Sequence, residues 1–186
     1  MSLDKMKLLT VVDHEFEDLE LWYPLIRLRE EGISMLVAGN GKETTYVGKY
    51  GVPVEADLTF QEARKESFNG ILVPGGWAPD KLRRDTDVLE MVQKADHEGD
   101  LIGQICHAGW VLASAGILKG KTMTSTPGIK DDVINAGATW KDEPAVIDGN
   151  LVSSRRPPDL PAYGQALLET IKRVSKSSGK MAGSFE

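Results

Sequence analysis

The single cysteine of the chain, Cys106, has the position best suited to chemistry. It follows the predicted strand Leu101–Ile105 and precedes the small-residue run Ala108–Ala115, so a strand passes into a helix at the sulfur. A helix start offers unpaired backbone N–H groups and a positive dipole end, which favour a thiolate. By residue type alone, a lone cysteine is more often a small buried hydrophobe. The junction and the adjacent His107 favour a nucleophile, although sequence neighbours at such a turn need not touch.

An acidic loop after the first apolar run supplies a candidate proton carrier. Residues 13–18 hold four acids around His14. Acids also suit a helix N-terminus, and no second His or Cys cluster supplies further metal ligands, so a metal site is not expected. In a parallel sheet this loop lies beside the Cys106 turn. A carboxyl group near a thiolate has a raised pKa and can act as a general acid or base.

A glycine pair marks a third loop of interest. Gly75 and Gly76 follow the apolar run 71–73 and precede Trp77. Two glycines let backbone N–H groups face a ligand, as an oxyanion hole requires, although a plain turn is the alternative. The segment lacks the Lys-Ser/Thr pair of a phosphate-binding loop.

Alternating short apolar runs and amphipathic runs predict the elements that carry these loops. Strands are expected at 7–12, 33–38, 71–73, 101–105 and 121–124, and helices at 18–31, 88–98, 108–115, 129–136 and 160–174. Residues 39–60 are expected to form a hairpin outside the main sheet, and 145–153 a second hairpin. This order predicts a mostly parallel sheet with helices on both faces. Ligands bind at the carboxyl ends of such strands, which selects the loops 13–18, 74–80 and 106–109.

Composition narrows the class of protein. The chain has 22 basic and 28 acidic side chains, a net charge of −6, and only two short basic pairs, at 83–84 and 155–156. A nucleic-acid partner is therefore not expected. The sequence also lacks an apolar run of membrane-spanning length, so no membrane association is expected. We expect a cytoplasmic location. We predict one α/β domain at 6–174 and a flexible tail at 175–186.

The three loops together resemble the ThiJ/PfpI family of intracellular cysteine peptidases, glyoxalases and protein deglycases. The resemblance runs from about Lys7 to about Arg173 and is strongest toward the PfpI-like branch. The matching stretches are 15–21, 23–24, 72–76, 105–107, 126–132, 135–137, 148–155 and 158–160. The family implies a flavodoxin-like three-layer sandwich with a mostly parallel central sheet, and no cofactor or metal.

The resemblance also implies roles for particular residues. Cys106 would be the nucleophile and Glu17 its protonated carboxyl partner. The backbone N–H groups near Gly75, Gly76 and His107 would bind an oxyanion. In the peptidase-like branch, a carboxylate from a neighbouring subunit is the partner of the histidine that matches His107. The position that matches is Asp80, one methylene shorter than the glutamate of that branch.

Two further departures alter the surroundings of the nucleophile. Trp77 stands where the branch commonly has a basic or small residue, which changes the mouth of the pocket and makes it a candidate substrate-binding residue. Ala108-Gly109 replaces the more usual Gly-Pro after the Cys-His pair.

The expected function is a cofactor-independent, stress-protective enzyme that acts on small reactive carbonyls or their protein adducts. Its thiol would attack the carbonyl while a carboxyl shuttles the proton. One alternative is a cysteine peptidase or amide hydrolase with His107 as base and a peptide substrate. An alternative of another class is a thiol redox sensor or stress-binding protein. A homodimer or higher homo-oligomer is expected from the family, with Trp22, Tyr23 and Trp77 as candidate interface anchors.

Overall fold

A computed structural model describes the backbone of residues 2–181 and the side chains of residues 2–174. The strands are β1 Lys7–Val11, β2 Ser34–Gly39, β3 Thr45–Val47, β4 Pro53–Glu55, β5 Leu58–Thr59, β6 Gly70–Val73, β7 Leu101–Ile105, β8 Thr122–Met123, β9 Thr139–Trp140, β10 Ala145–Asp148 and β11 Leu151–Ser154. The α-helices are α1 Asp18–Glu30, α2 Phe60–Ala63, α3 Ala78–Leu82, α4 Thr86–Glu98, α5 Gly109–Ala115, α6 Lys130–Asn135 and α7 Leu160–Met181.

The central sheet has seven strands in the order β10-β11-β7-β6-β1-β2-β5. Its strands pair in parallel except β10, which forms an antiparallel hairpin with β11. From β1 the chain moves one way through α1 to β2, and from β6 the other way through α4 to β7. Because such crossovers are right-handed, α1 and α4 cover opposite faces, which gives the expected three-layer α/β sandwich.

β1 and β6 lie side by side at the centre of the sheet, and from them successive strands are added in opposite directions. In open parallel sheets this switch point leaves a crevice at the carboxyl ends of the strands. The loops that follow β1, β6 and β7 all lie at that edge. Those strands are buried along almost their whole length, so the loops rest on a rigid apolar base.

Several predicted elements are confirmed closely, and others differ. The strand 101–105 and the start of α1 at Asp18 are as expected. The predicted strand at 121–124 is not part of the central sheet, because β8 instead pairs with β9 in a small separate sheet. The predicted helix 160–174 continues to Met181, so residues 175–181 are helical. The rest of the predicted tail, 182–186, lies outside the described residues, as does Met1.

The hairpin of β3 and β4 is fastened to the first turn of α1. The buried Asp18 carboxylate accepts hydrogen bonds from the backbone N–H groups of Tyr50, at 2.9 Å, and Val52, at 2.8 Å. Gly48 passes so close that an added Cβ would lie 2.5 Å from the Asp18 carboxyl carbon. The hairpin tip, including Lys49, is thereby held beside the carboxyl edge of the sheet.

Within the described residues, no helix is both long enough and apolar enough to cross a membrane.

Candidate active site

Cys106 occupies a strained turn between β7 and the helix that follows. Its φ is 63°, and Glu15 is the other non-glycine residue with a positive φ in the described chain. This conformation is costly for residues with a Cβ and is typical of sites where a side chain must be exposed at a sharp turn. Cys106 is nevertheless buried, with 8% of its surface exposed. A short 3-10 turn, Cys106–Ala108, leads into α5.

The carboxyl group that lies against Cys106 belongs to Glu20. Glu20 is 2% exposed, and its Oε2 accepts a hydrogen bond from the backbone N–H of Gly75 at 2.8 Å. An added Cβ on Gly75 would collide with this oxygen and would lie 2.6 Å from Cys106 Cβ, so the three residues are in close contact. Oε1 is buried without a hydrogen-bond partner in the described chain. A side-chain hydrogen bond also joins the Glu20 carboxyl to the Cys106 thiol.

Burial is the main reason that Glu20 holds a proton. It raises the pKa of the Glu20 carboxyl to about 8, and the negative charge of Glu17 adds to the effect. Burial also raises the pKa of the Cys106 thiol, as does the charge that Glu20 carries when it is ionised. The expected lowering of the thiol pKa at the helix start is therefore wrong: burial outweighs the nearby backbone N–H groups. Near neutral pH, a protonated Glu20 lies beside Cys106.

The prediction that Glu17 is the partner of Cys106 is corrected by this geometry. Glu17 is the N-cap of α1, and its Oε2 accepts the backbone N–H of Glu20 at 2.8 Å. Its carboxylate is therefore occupied by the helix end, while the side chain one turn later points at the sulfur. Burial raises the pKa of Glu17 as well, so two buried carboxyl groups with raised pKa values and different partners lie at the start of α1.

His107 contacts the nucleophile and is enclosed by aromatic rings. Its Nδ1 lies 3.2 Å from Cys106 Sγ. The imidazole packs between Trp77 and Trp110, with ring centroids 5.2 and 5.0 Å away. Trp110 is itself fixed by a 2.7 Å hydrogen bond from its Nε1 to Asp132. Burial lowers the pKa of His107, which keeps the ring neutral and able to accept a proton.

Two backbone N–H groups face the sulfur. Those of His107 and Gly76 favour the charged form of Cys106. The N–H of Gly75 is already bound by Glu20, so the prediction that it binds an oxyanion is corrected. Gly76 has φ 80° and leaves no room for a side chain, because an added Cβ would lie 2.5 Å from the backbone nitrogen of Glu17. A glycine is therefore required where the backbone turns its N–H toward the sulfur.

The other predicted residues lie around the mouth of the site. Trp77 is 53% exposed and covers one face of the His107 ring. Asp80 lies on α3 and pairs with Arg84 at 3.1 Å on the surface, and no contact with His107 of the same chain is present. A contact of Asp80 with a neighbouring subunit stays a prediction.

Sequence reasoning missed Glu20 and Trp110, and a helical signal was available for Glu20. The residues that α1 buries include Leu21, Leu25 and Leu28, a spacing that defines its inward face. Glu20 lies on the same face, one position before Leu21. An acid on the buried face of a helix beside the nucleophile loop is a stronger candidate than an acid in the loop.

The loop around His14 forms a separate polar cleft of 510 Å³. His14 pairs there with Glu43 at 3.0 Å, and Asp13 accepts a hydrogen bond from Asn40. Within the described residues, no three His, Cys, Asp or Glu side chains gather as metal ligands would.

The site has the character of enzymes that react through a cysteine, carried on a flavodoxin-like sandwich. The model of the DJ-1/PfpI family matches residues 6–170. Deglycase PfpI of Pyrococcus furiosus is 44% identical over 167 residues, which cover 90% of this chain and 100% of that protein. The protein named Putative cysteine protease YraA of Bacillus subtilis is 36% identical over 168 residues, covering 89% of this chain and 98% of that protein.

A solved structure agrees with these relatives. The crystal structure of a two-domain protein with DJ-1/ThiJ/PfpI-like and ferritin-like domains from Anabaena variabilis superposes with a TM-score of 0.86 at 37% identity. The match covers 90% of this chain and 48% of that one, so this chain spans about half its length. The chain therefore belongs to the DJ-1/PfpI family.

Proposed function

We propose that this protein is a cofactor-independent cysteine enzyme that converts small reactive carbonyls, or their adducts on proteins, to hydroxy acids. It would protect the cytoplasm against carbonyl stress. The observation that carries the proposal is the buried Glu20 carboxyl against the Cys106 thiol. This pairing suits addition to an aldehyde followed by proton transfer between adjacent carbons. Four curated relatives named as deglycases, 43 to 44% identical over 90% of this chain, support it.

The reaction begins with addition of the thiol to an aldehyde such as methylglyoxal. Neutral His107, 3.2 Å from the sulfur, takes the thiol proton as the S–C bond forms. The carbonyl oxygen becomes an oxyanion, which accepts hydrogen bonds from the backbone N–H groups of Gly76 and His107. The Glu20 carboxyl then protonates it, which gives a hemithioacetal and leaves Glu20 as a carboxylate.

Glu20 then moves a proton between the two oxygenated carbons. The Glu20 carboxylate takes the hydrogen of the former aldehyde carbon as a proton and delivers it to the neighbouring ketone carbon. The proton held by His107 goes to the ketone oxygen, and the hydroxyl on the former aldehyde carbon returns a proton to His107. A thioester with a new hydroxyl results. Water cleaves the S–C bond and restores the thiol, and the sum is methylglyoxal plus water giving lactate. For an adduct on an amine, the amine leaves and is recovered unmodified.

The proposal predicts that pure protein converts methylglyoxal to lactate without added metal or cofactor. The test follows lactate by chromatography, with protein alkylated at Cys106 as the control. A matched assay uses an amino acid first modified by methylglyoxal and follows release of the free amine. Failure to form lactate from either substrate would contradict the proposal.

A peptidase is the second candidate because His107 lies within hydrogen-bond reach of the thiol. A thiol–imidazole contact is what nucleophilic attack on an amide requires. The relative named Putative cysteine protease YraA supports the same alternative. The order of the two functions would be reversed if the protein formed no lactate but cleaved a peptide, and if Cys106→Ala abolished that cleavage. A redox sensor is less well supported, because the thiol is 8% exposed and its pKa is raised by burial.

The enzyme is also proposed to work as a homodimer or larger homo-oligomer. Leu19 and Ile26, two turns apart on α1, are 57% and 58% exposed, and Trp77 is 53% exposed. Large apolar side chains exposed in this way suit an interface. Light scattering at micromolar concentration is expected to give a multiple of the monomer mass, and Asp80→Ala to lower turnover if Asp80 reaches His107 of a neighbour. A strict monomer with full activity would exclude both.

A further inference from the structure

Lys49 is held at the mouth of the active site by its backbone. Its N–H donates to the carbonyl oxygen of Phe16 at 2.9 Å, and Phe16 in turn bridges to Gly76. The next residue in the hairpin tip is fastened to Asp18. The exposed Lys49 side chain therefore starts from a fixed point beside the loop that supplies an N–H group to the sulfur.

The positive charge of Lys49 reaches the reactive groups. Burial is the largest influence on the pKa of Glu17, Glu20 and His107, and Lys49 lowers all three. The backbone contact of Lys49 with Phe16, which bridges to Gly76, places the start of this side chain beside the loop whose N–H faces the sulfur. A substrate carbonyl must approach this loop to meet Cys106.

Lys49 makes no ion pair with the described side chains. Its ammonium lies over the Tyr50 ring, 4.9 Å from the centroid. Two acids at the start of α1 already have other partners. Glu17 caps α1, and Asp18 accepts hydrogen bonds from the hairpin. Other basic residues on the surface, such as Arg64 and Arg155, are each bound by two carboxylates. An incoming anion is therefore the natural partner of Lys49.

We propose that Lys49 selects substrates that carry a carboxylate close to the reacting carbonyl. This inference rests on the proposed function and names its substrate class: 2-oxoaldehydes, or their adducts, with an anionic group on the chain. A carboxylate bound by Lys49 gains a charge-assisted hydrogen bond at the edge of a half-buried site, where screening is weaker than in open solvent. It also directs the aldehyde end of the molecule toward Cys106.

The test compares two substrates that differ in one group. One is 2-oxopentanal, and the other is the analogue in which a carboxylate replaces its terminal methyl. The wild type is expected to prefer the anionic substrate by about 5- to 10-fold in kcat/KM, the size of one charge-assisted contact. Lys49→Met should lose this preference, measured as the ratio of kcat/KM for the two substrates within the same variant, and Lys49→Arg should retain it. A preference unchanged in Lys49→Met would overturn the proposal.

Two controls separate this inference from the proposed function. Lys5→Met removes the same charge just before β1, at the opposite edge of the sheet, and should leave the preference intact. Binding of both substrates to Cys106→Ala, followed by tryptophan fluorescence, gives the preference without turnover. If the wild type turned over neither substrate, the proposed function would fail, and the binding ratio with and without Lys49→Met would still decide the role of Lys49.

Discussion

Conversion of methylglyoxal to lactate is expected to fall by on the order of 10⁴-fold or more when Cys106 is replaced by alanine. Every covalent step of the proposed reaction passes through this sulfur, and no other cysteine is present in the chain. The fold should be preserved, because alanine occupies less space in the same buried position. Lactate formation and thermal unfolding measured on the same preparations check both statements.

Cys106→Ser is the matched control for this change. Serine keeps the shape of the side chain and the backbone strain at φ 63°, but its hydroxyl is a much weaker nucleophile than a thiol. Both variants should therefore lose activity while they unfold close to the wild-type temperature. An alanine variant with more than about a tenth of wild-type turnover would contradict covalent catalysis at this residue.

The second large effect is expected at Glu20. Glu20→Gln keeps the size and the acceptor for the Gly75 N–H but cannot exchange a proton, so kcat should fall by about 10²- to 10⁴-fold. Glu17→Gln is the control one turn away. Glutamine can still accept the N–H of Glu20 and cap α1, so kcat should change by less than about fivefold. A larger loss in Glu17→Gln than in Glu20→Gln would reverse the assignment.

The pH dependence of turnover separates the same two residues. The pKa of Glu20 is raised to about 8, so its acid form predominates below that pH and is lost as the pH rises through it. Wild-type turnover should therefore decline as the pH rises through about 8. The pH profile of Glu20→Gln should lack this decline. In Glu17→Gln the decline should move to lower pH, because the charge of Glu17 helps to raise the pKa of Glu20.

The position of the nucleophile could be predicted from the sequence because local signals there agree. Residues 101–105 are mostly apolar, with Gln104 as the one polar side chain, and small residues follow Cys106, so strand, turn and helix are each specified by neighbours in the chain. The start of α1 was equally clear. Agreement between composition, periodicity and turn chemistry makes such segments readable.

The partner of the nucleophile is not indicated by any local cluster of acids. Four acids lie in residues 13–18, yet the buried face of α1 carries Glu20 to the sulfur. The packing of Trp77 against the His107 ring joins residues from separate segments. Such packing depends on tertiary distances that no local pattern contains. The same holds for β8, whose partner β9 is only two residues long.

Infrared difference spectroscopy tests the central claim most directly, because a protonated carboxylic acid has a carbonyl band that a carboxylate lacks. Spectra of the wild type at about pH 6.5 should contain a buried-acid band that disappears by about pH 10, as expected for a carboxyl whose pKa burial has raised. The account predicts that Glu20→Gln removes this band and that Glu17→Gln keeps it. A band that persists in Glu20→Gln and is lost in Glu17→Gln would contradict the pairing of Glu20 with Cys106.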